Sequence, residues 1–119
     1  MPACKPWAMV KVPFPYTDRP VRQRRPALVL ACIAETGGPK LLWVAMITSA
    51  AHRHWGGDLD IADLTGAGLP APSMVRLAKI ATIEAAVAEP LGQLAVAERA
   101  GVRSWLGESL GPLMLDGPA

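Results

Sequence analysis

The segment that most constrains the fold runs from residue 12 to residue 32, where two apolar stretches flank a loop rich in arginine. Pro26 follows the last of these arginines, and a proline disfavours the helical region for the residue before it. We therefore expect an extended Arg25 that leads directly into a strand. Because strand residues alternate between the faces of a sheet, Arg25 should share a face with Ala27 and Val29. The pattern predicts a guanidinium held at the mouth of a buried strand.

The loop before that strand carries four arginines, whose planar pairs of donors match phosphate oxygens. They are Arg19, Arg22, Arg24 and Arg25. Such a cluster can also be a solvated hairpin tip, so two interpretations are open. The charge distribution favours an anionic ligand at the N-terminal half. Residues 1–60 hold eight Lys or Arg against four Asp or Glu, whereas residues 61–119 hold four against six.

The whole chain, residues 1–119, is expected to be a single, mainly β domain with one C-terminal helix. Strands are predicted at residues 7–14, 27–34, 41–49, 58–64 and 73–83. Residues 65–72 are expected to be a loop and residues 84–89 a short connection. An apolar stripe at helical spacing predicts a helix over residues 95–110, and its two glycines make that helix dependent on packing. Strands this short favour a small, strongly curved barrel.

The cysteines and apolar segments narrow the class of protein further. Cys4 and Cys32 have no CxxC partner, which argues against a zinc site or a redox pair, and we expect Cys32 in the core. Trp43 and Trp105 are expected in the core or at an interface. The apolar runs fall far short of the ~20 residues that a membrane helix needs, and the N-terminus lacks a signal-peptide core. We therefore expect a cytoplasmic protein with no membrane partner.

Three segments, in order and spacing, resemble the MazF/PemK family of toxins from bacterial toxin–antitoxin pairs. They are Arg25-Pro26-Ala27-Leu28-Val29-Leu30, Met46-Ile47-Thr48-Ser49 and Gly68-Leu69-Pro70-Ala71-Pro72-Ser73-Met74-Val75-Arg76. The resemblance implies an SH3-like barrel of the MazF/CcdB type with a C-terminal α-helix, usually paired as a homodimer. It also implies a cognate antitoxin, whose acidic segment would occupy the toxin's grooves. The family usually places Gly-Asp at the start of the first strand, where this chain has Trp7-Ala8.

The same resemblance marks Arg25 and Thr48 as catalytic. It implies cleavage of single-stranded RNA by attack of a 2′-hydroxyl on the adjacent phosphorus, which leaves a 2′,3′-cyclic phosphate and a 5′-hydroxyl. No metal or other cofactor is implied. Arg25 would stabilise charge on the phosphoryl oxygens, and Thr48 can donate a hydrogen bond to a non-bridging oxygen. By residue type, Thr48 also fits an ordinary strand-end hydroxyl bonded to the backbone.

Further residues are candidate contacts for the RNA. Trp55, on a loop near the basic site, could stack an unpaired base or act as a lid over the core. Arg76 is interpreted chiefly as structural, with a contact to the substrate or to a dimer partner as the alternative. The predicted substrate-binding set is Arg19, Arg22, Arg24, Ser49, His52, His54, Trp55 and Arg76.

The sequence leaves the proton acceptor open. Arginine, with a pKa above ~12, is a poor general base at neutral pH, whereas histidine titrates close to neutrality. The alternatives are Asp18, His52 and His54. His52, His54 and Asp58 would also be an incomplete set of metal ligands on a loop, so no metal site is expected.

Two other functions fit the same residues. One is a CcdB-like toxin without enzymatic activity, which inhibits a protein such as DNA gyrase through its dimer, Trp105 and the terminal helix. The other is an inactive barrel that retains RNA in a salt-dependent manner without breaking it.

Overall fold

The computed structural model describes residues 5–13, 23–34, 37–38 and 40–115. In this part the chain forms strands and two α-helices. The strands are β1 (Ala8–Pro13), β2 (Arg24–Ala34), β3 (Lys40–Ser49), β4 (Asp58–Asp60), β5 (Ser73–Glu84) and β6 (Glu89–Gln93). The helices are α1 (Leu64–Ala67) and α2 (Arg99–Met114). Neither is both long and apolar enough to span a membrane.

The described strands form one sheet in the order β4-β5-β3-β2-β1-β6, and each strand runs antiparallel to its neighbours. The register shifts within three of the pairs, β1–β6, β2–β3 and β3–β5. Such irregularities bend strands and increase their twist. The predicted mainly β fold with a C-terminal helix is confirmed, with one difference. The described sheet is open, because the edge strands β4 and β6 do not pair.

Helix α1 follows the edge strand β4 in the chain and packs against the other edge strand, β6. Its backbone packs against β6 so closely that a side chain at Gly92 would collide with the carbonyl oxygen of Gly66. Gly68, which ends the helix, has φ 74° and would likewise collide with Leu91. Asp63 caps the start of α1 by accepting a hydrogen bond from the Gly66 N–H at 3.0 Å. Glycine is therefore required on both sides of this contact.

The sheet buries apolar side chains on both faces. One cluster contains Ala8, Val10, Val12, Ala27, Val29, Leu42, Val44, Met46 and Ile83. The other contains Met9, Leu28, Ala45, Ile47, Ile61, Ala67, Leu69, Val75, Leu77, Leu94 and Val102. Helix α2 contributes Val102 to the second cluster, and its Trp105 and Leu106 pack against it half-buried. Leu110, predicted on the same stripe, is 49% exposed, so the buried stripe is shorter than predicted.

Trp7, at the position where the family usually has glycine, has φ 76°. This left-handed conformation is unfavourable for residues other than glycine. The backbone is held there because the Trp7 N–H donates to the Val29 carbonyl at 2.9 Å, and the Trp7 carbonyl accepts from the Leu94 N–H at 2.9 Å. Arg99 and Arg103 of α2 lie 5.3 and 5.2 Å from the indole centroid. Packing thus offsets the backbone cost.

Several local predictions were wrong. β6 was not predicted, and α1 lies in part of the segment expected to be a loop. Cys32, expected in the core, is exposed because it lies near the end of β2, beyond the buried centre of that strand. Trp43 is 48% exposed, because it lies nearer the start of β3 than Ala45 and Ile47, the residues of the same face that the second cluster buries. An interface role for Trp43 stays a prediction.

Candidate active site

Arg25 and Thr48 lie at the same end of two neighbouring strands. Ala27 of β2 pairs with Met46 of β3, and Arg25 and Thr48 are each two residues further along. Side chains two apart share a face of a strand, so the register assigns both to the face of the Ala27–Met46 pair. The register of β2 on β3 therefore supports the predicted proximity of Arg25 and Thr48. Their catalytic roles stay predictions.

The Arg25 guanidinium has an unsatisfied donor. Its Nη2 donates to Gln23 Oε1 at 3.0 Å, but its Nε is buried and has no hydrogen-bond partner among the described residues. A buried donor without an acceptor costs about 1–3 kcal/mol. Arg25 also lines a pocket of about 300 Å³ together with Lys11 and Arg24. Positive charge and an unpaired N–H at the same position suit an anionic group such as a phosphate.

Arg24 is more fully engaged with the protein itself. Its Nη2 donates to the carbonyl oxygens of Lys11 at 3.0 Å and Val87 at 2.9 Å, and lies 3.2 Å from a carboxylate oxygen of Glu89. These contacts tie the start of β2 to β1 and to the segment before β6. Arg24 therefore adds positive charge to the pocket, while its Nη2 is committed to contacts within the protein.

Thr48 forms a short hydrogen bond that the sequence analysis did not anticipate. Its Oγ1 lies 2.6 Å from Nδ1 of His52, in the turn that follows β3. Thr48 is only 6% exposed, whereas His52 is exposed. The backbone N–H of His52 donates to the Ser49 carbonyl at 3.0 Å, and Ser49 Oγ accepts from the Ala51 N–H at 3.1 Å. This turn holds the imidazole against the threonine hydroxyl.

Arg76 of β5 lies inside a network next to that turn. It is 8% exposed, and its Nε and Nη2 donate to the two carboxylate oxygens of Asp58 on β4 at 3.1 and 3.0 Å. Its Nη2 also donates to the Arg53 carbonyl at 2.7 Å. The guanidinium carbon lies 3.8 Å from the centroid of the Trp55 ring. These contacts favour the structural interpretation of Arg76, since its Nε and Nη2 donate to groups of the protein.

Asp58 completes this network. Its side chain has no exposed surface, and its Oδ2 also accepts from the Trp55 N–H at 2.7 Å. Burial raises the pKa of Asp58, but the hydrogen bonds from Arg76 and the Trp55 backbone, with the charges of Arg76 and His54, outweigh burial and hold the pKa below its usual value. Asp58 is therefore a carboxylate at neutral pH and fixes the loop that carries Trp55.

The other predicted contacts lie on the same loop or outside the described residues. Trp55 is 48% exposed despite its stacked arginine. His54 Nε2 lies 3.4 Å from a carboxylate oxygen of Asp60, and both side chains are exposed. Asp18, Arg19 and Arg22 lie outside the described residues. Within the described ranges, no group of three or more His, Cys, Asp or Glu could hold a metal ion.

Several residues of this site are recognisable in the sequence, but the contacts between them are not. Arg76 and Asp58 were candidates for separate reasons, and their pairing follows from the register of β4 on β5. The sequence indicates the Thr48–His52 bond only through a histidine four residues after a threonine at the end of a strand. The two side chains can meet only if the chain turns immediately after that strand. Ala50 and Ala51 gave no turn signal of the Gly or Pro type.

Comparisons with known proteins agree with this architecture. The model of a family described as the PemK-like, MazF-like toxin of type II toxin–antitoxin systems matches residues 5–110. A chain in a crystal structure of MazE–MazF from Deinococcus radiodurans is 25% identical, with a TM-score of 0.63, and the match covers 89% of this chain and 93% of that one.

Two further solved structures share the fold. MazF from Deinococcus radiodurans is 24% identical with a TM-score of 0.64, over 89% of this chain and 94% of that chain. The toxin MazF-mt6 from Mycobacterium tuberculosis is 20% identical with a TM-score of 0.61, over 86% of this chain and 95% of that chain. A comparison with curated proteins gave no significant match.

Proposed function

This chain belongs to the family of PemK-like, MazF-like toxins of type II toxin–antitoxin systems, and we propose that it is a sequence-selective endoribonuclease that cuts single-stranded RNA without a metal. Members of this family are generally endoribonucleases. The observation that carries the proposal is Arg25, whose buried Nε has no partner among the described residues, at the end of β2 beside the end of β3.

In the proposed reaction the 2′-hydroxyl of one nucleotide attacks the adjacent phosphorus. The bond from phosphorus to the 2′-oxygen forms while the bond to the 5′-oxygen breaks, which gives a 2′,3′-cyclic phosphate and a 5′-hydroxyl. Negative charge develops on the non-bridging oxygens, and the guanidinium of Arg25 offers a charged donor there. The charge of Lys11 and Arg24 in the adjoining pocket attracts the flanking backbone.

Trp55 supplies a contact of another kind. Its ring is fixed by Arg76 at 3.8 Å and by the backbone bond to Asp58, yet almost half of its surface is exposed. A rigid, partly exposed indole suits an unpaired base, because stacking requires a flat surface that is already ordered. We therefore assign Trp55 to substrate binding and Arg76 to holding Trp55 in place.

The test is cleavage of mixed-sequence single-stranded RNA by the pure protein in excess chelator. We expect the wild type to cut, Arg25→Ala to lose at least about 100-fold in rate, since electrostatic stabilisation is worth that much, and Arg103→Ala to cut like the wild type. Arg103 is a matched control because it is an exposed arginine on α2 outside the site. Intact RNA with the wild type, or equal cutting by Arg25→Ala, contradicts the proposal.

The same experiment separates the two rival functions. A CcdB-like inhibitor of a protein such as DNA gyrase leaves RNA intact, and changes at Trp105 abolish its growth arrest while Arg25→Ala does not. An inactive RNA-binding domain retains RNA in a salt-dependent manner without new ends.

We further propose that the protein is a cytoplasmic homodimer silenced by an antitoxin. The support is the family and the similar MazE–MazF structure from Deinococcus radiodurans. Light scattering of the pure protein should give the mass of two chains. Co-expression with the product of a neighbouring short reading frame should relieve growth arrest. A monomeric mass at micromolar concentration, or undiminished arrest, contradicts this part.

A further inference from the structure

We propose that His52 is the catalytic base of this site, with Nε2 as its reactive atom and Thr48 as the residue that positions it. The inference rests on the proposed RNA cleavage and deepens it, because that reaction needs a group to accept the 2′-hydroxyl proton and Arg25 is a poor acceptor. The structure provides a histidine bound to the very threonine that shares the strand end with Arg25.

Nδ1 of His52 lies 2.6 Å from Oγ1 of Thr48, within hydrogen-bond distance. Which ring nitrogen of a neutral histidine carries the proton is set by the bond that the other nitrogen makes. If Nδ1–H donates to Thr48, the lone pair lies on Nε2. Thr48 is 6% exposed and so offers a fixed acceptor, and its own O–H stays available to donate.

His52 is exposed, and its Nε2 has no hydrogen-bond partner among the described residues. An imidazole with one nitrogen fixed on a buried hydroxyl and the other facing outward has the arrangement that a general base requires. His54 differs, because its Nε2 lies 3.4 Å from Asp60 and it has no described contact with Thr48.

The proton balance of the step is complete. Nε2 of His52 takes the proton of the 2′-hydroxyl as the 2′-oxygen bonds to phosphorus. The bond from phosphorus to the 5′-oxygen breaks, and the 5′-oxygen takes a proton from solvent water. The imidazolium then returns its proton to solvent from Nε2, and the neutral ring with Nδ1–H on Thr48 is restored.

Other charged side chains of this site lie on β2, β4 and β5 and in the turn that carries His52. Arg25 on β2, Arg53 in the turn and Arg76 on β5 stay cationic. Asp58 on β4 has a lowered pKa and stays anionic, while Asp60 faces His54. Only a neutral imidazole can accept the proton, so the cleavage rate should rise with pH as the ring becomes neutral.

The experiment measures single-turnover cleavage of mixed-sequence RNA in chelator as a function of pH. The cleavage rate of the wild type should rise with pH. His52→Asn should be about 100-fold slower at neutral pH, and its rate should no longer rise with pH. Asparagine keeps a polar group near Nδ1 but cannot take up the proton. Added imidazole should restore part of the activity of His52→Ala. His54→Asn and Asp18→Asn should keep the rise, whatever their rates.

Two further measurements keep the outcome clear. Thr48→Ser should keep the pH profile and Thr48→Val should lower the rate, and melting temperatures of all variants should verify folding. The ¹⁵N shifts of the neutral His52 ring should report Nδ1–H. If the wild type cuts RNA, any of three results overturns this inference but not the proposed nuclease. They are a pH profile in His52→Asn that matches the wild type, loss of the rise with pH in Asp18→Asn, and a neutral His52 ring with its proton on Nε2. Intact RNA with the wild type overturns both.

Discussion

Replacing Asp58 by alanine should destabilise the protein strongly, because it leaves the charge of Arg76 buried without its carboxylate. The side chains of Asp58 and Arg76 are 0% and 9% exposed, and their ion pair spans 3.0 Å. Breaking a buried pair on one side costs about 3–5 kcal/mol. Asp58 lies on the short edge strand β4, where local relaxation admits water, so we expect the lower figure, about 3 kcal/mol.

Denaturant unfolding followed by circular dichroism measures this change, and the melting temperature of a domain of this size should fall by roughly 10–20 °C. Asp60→Ala is the matched control on the same strand, because the Asp60 side chain is 71% exposed and its contact with His54 is 3.4 Å. That exposed pair should contribute less than about 1 kcal/mol.

The double variant Asp58→Ala/Arg76→Met should recover part of the lost stability, because no unpaired charge is then buried. Equal losses of unfolding free energy in Asp58→Ala and Asp60→Ala would refute the reasoning. So would a double variant that is no more stable than Asp58→Ala.

Three further predictions concern pH, binding and the backbone. The pKa of Asp58 is lowered in the folded state, so its contribution to stability is present above the usual value of 3.8 and is lost as pH falls through the folded value. Asp58→Asn should therefore lose less stability than the wild type as pH falls below 3.8 in acid unfolding, and parallel curves would count against it. Trp55→Ala should raise the dissociation constant for single-stranded RNA roughly tenfold, as loss of one base stack does. Trp43→Ala, at a residue with the same 48% exposure, should leave it unchanged. Equal increases of the dissociation constant in the two variants, measured by fluorescence anisotropy, would remove Trp55 from the site. Gly68→Ala should lower the free energy of unfolding by at least about 1 kcal/mol, because Gly68 has a φ of 74° and lies against Leu91. Gly107→Ala on α2, where a side chain meets nothing within 4 Å, should raise it by up to about 1 kcal/mol. Thermal unfolding with the opposite order of stability would contradict this account of the two glycines.

The parts of the fold that the sequence predicted are those in which local signals agree with the final packing. β2, β3 and β5 are long and apolar, and Pro26 sets the extended backbone of Arg25. β6 could not be recognised, because its Glu89-Pro90-Leu91-Gly92-Gln93 has little strand propensity. It forms because β1 offers an edge to pair with and α1 packs on it. Tertiary contacts define that strand.

The same distinction applies to the candidate site. Arg25 and Thr48 were identifiable because both lie in segments with a recognisable pattern. The bond from His52 to Thr48 depends on a tight turn at Ala50 and Ala51, and the burial of Arg76 depends on a strand of three residues, β4, finding its register. Contacts of this kind are set by geometry over many residues, so no local pattern reveals them.

The chemistry of the RNA ends produced by the wild type in excess chelator is the most direct test of the central claim, that a 2′-hydroxyl attacks the phosphorus next to Arg25. The account predicts 5′-hydroxyl ends that a kinase labels without prior phosphatase treatment, 2′,3′-cyclic phosphates on the opposite ends, and no cut at a linkage whose 2′-hydroxyl is replaced by hydrogen. New 5′-phosphate ends, or cutting at the 2′-deoxy linkage, would contradict it.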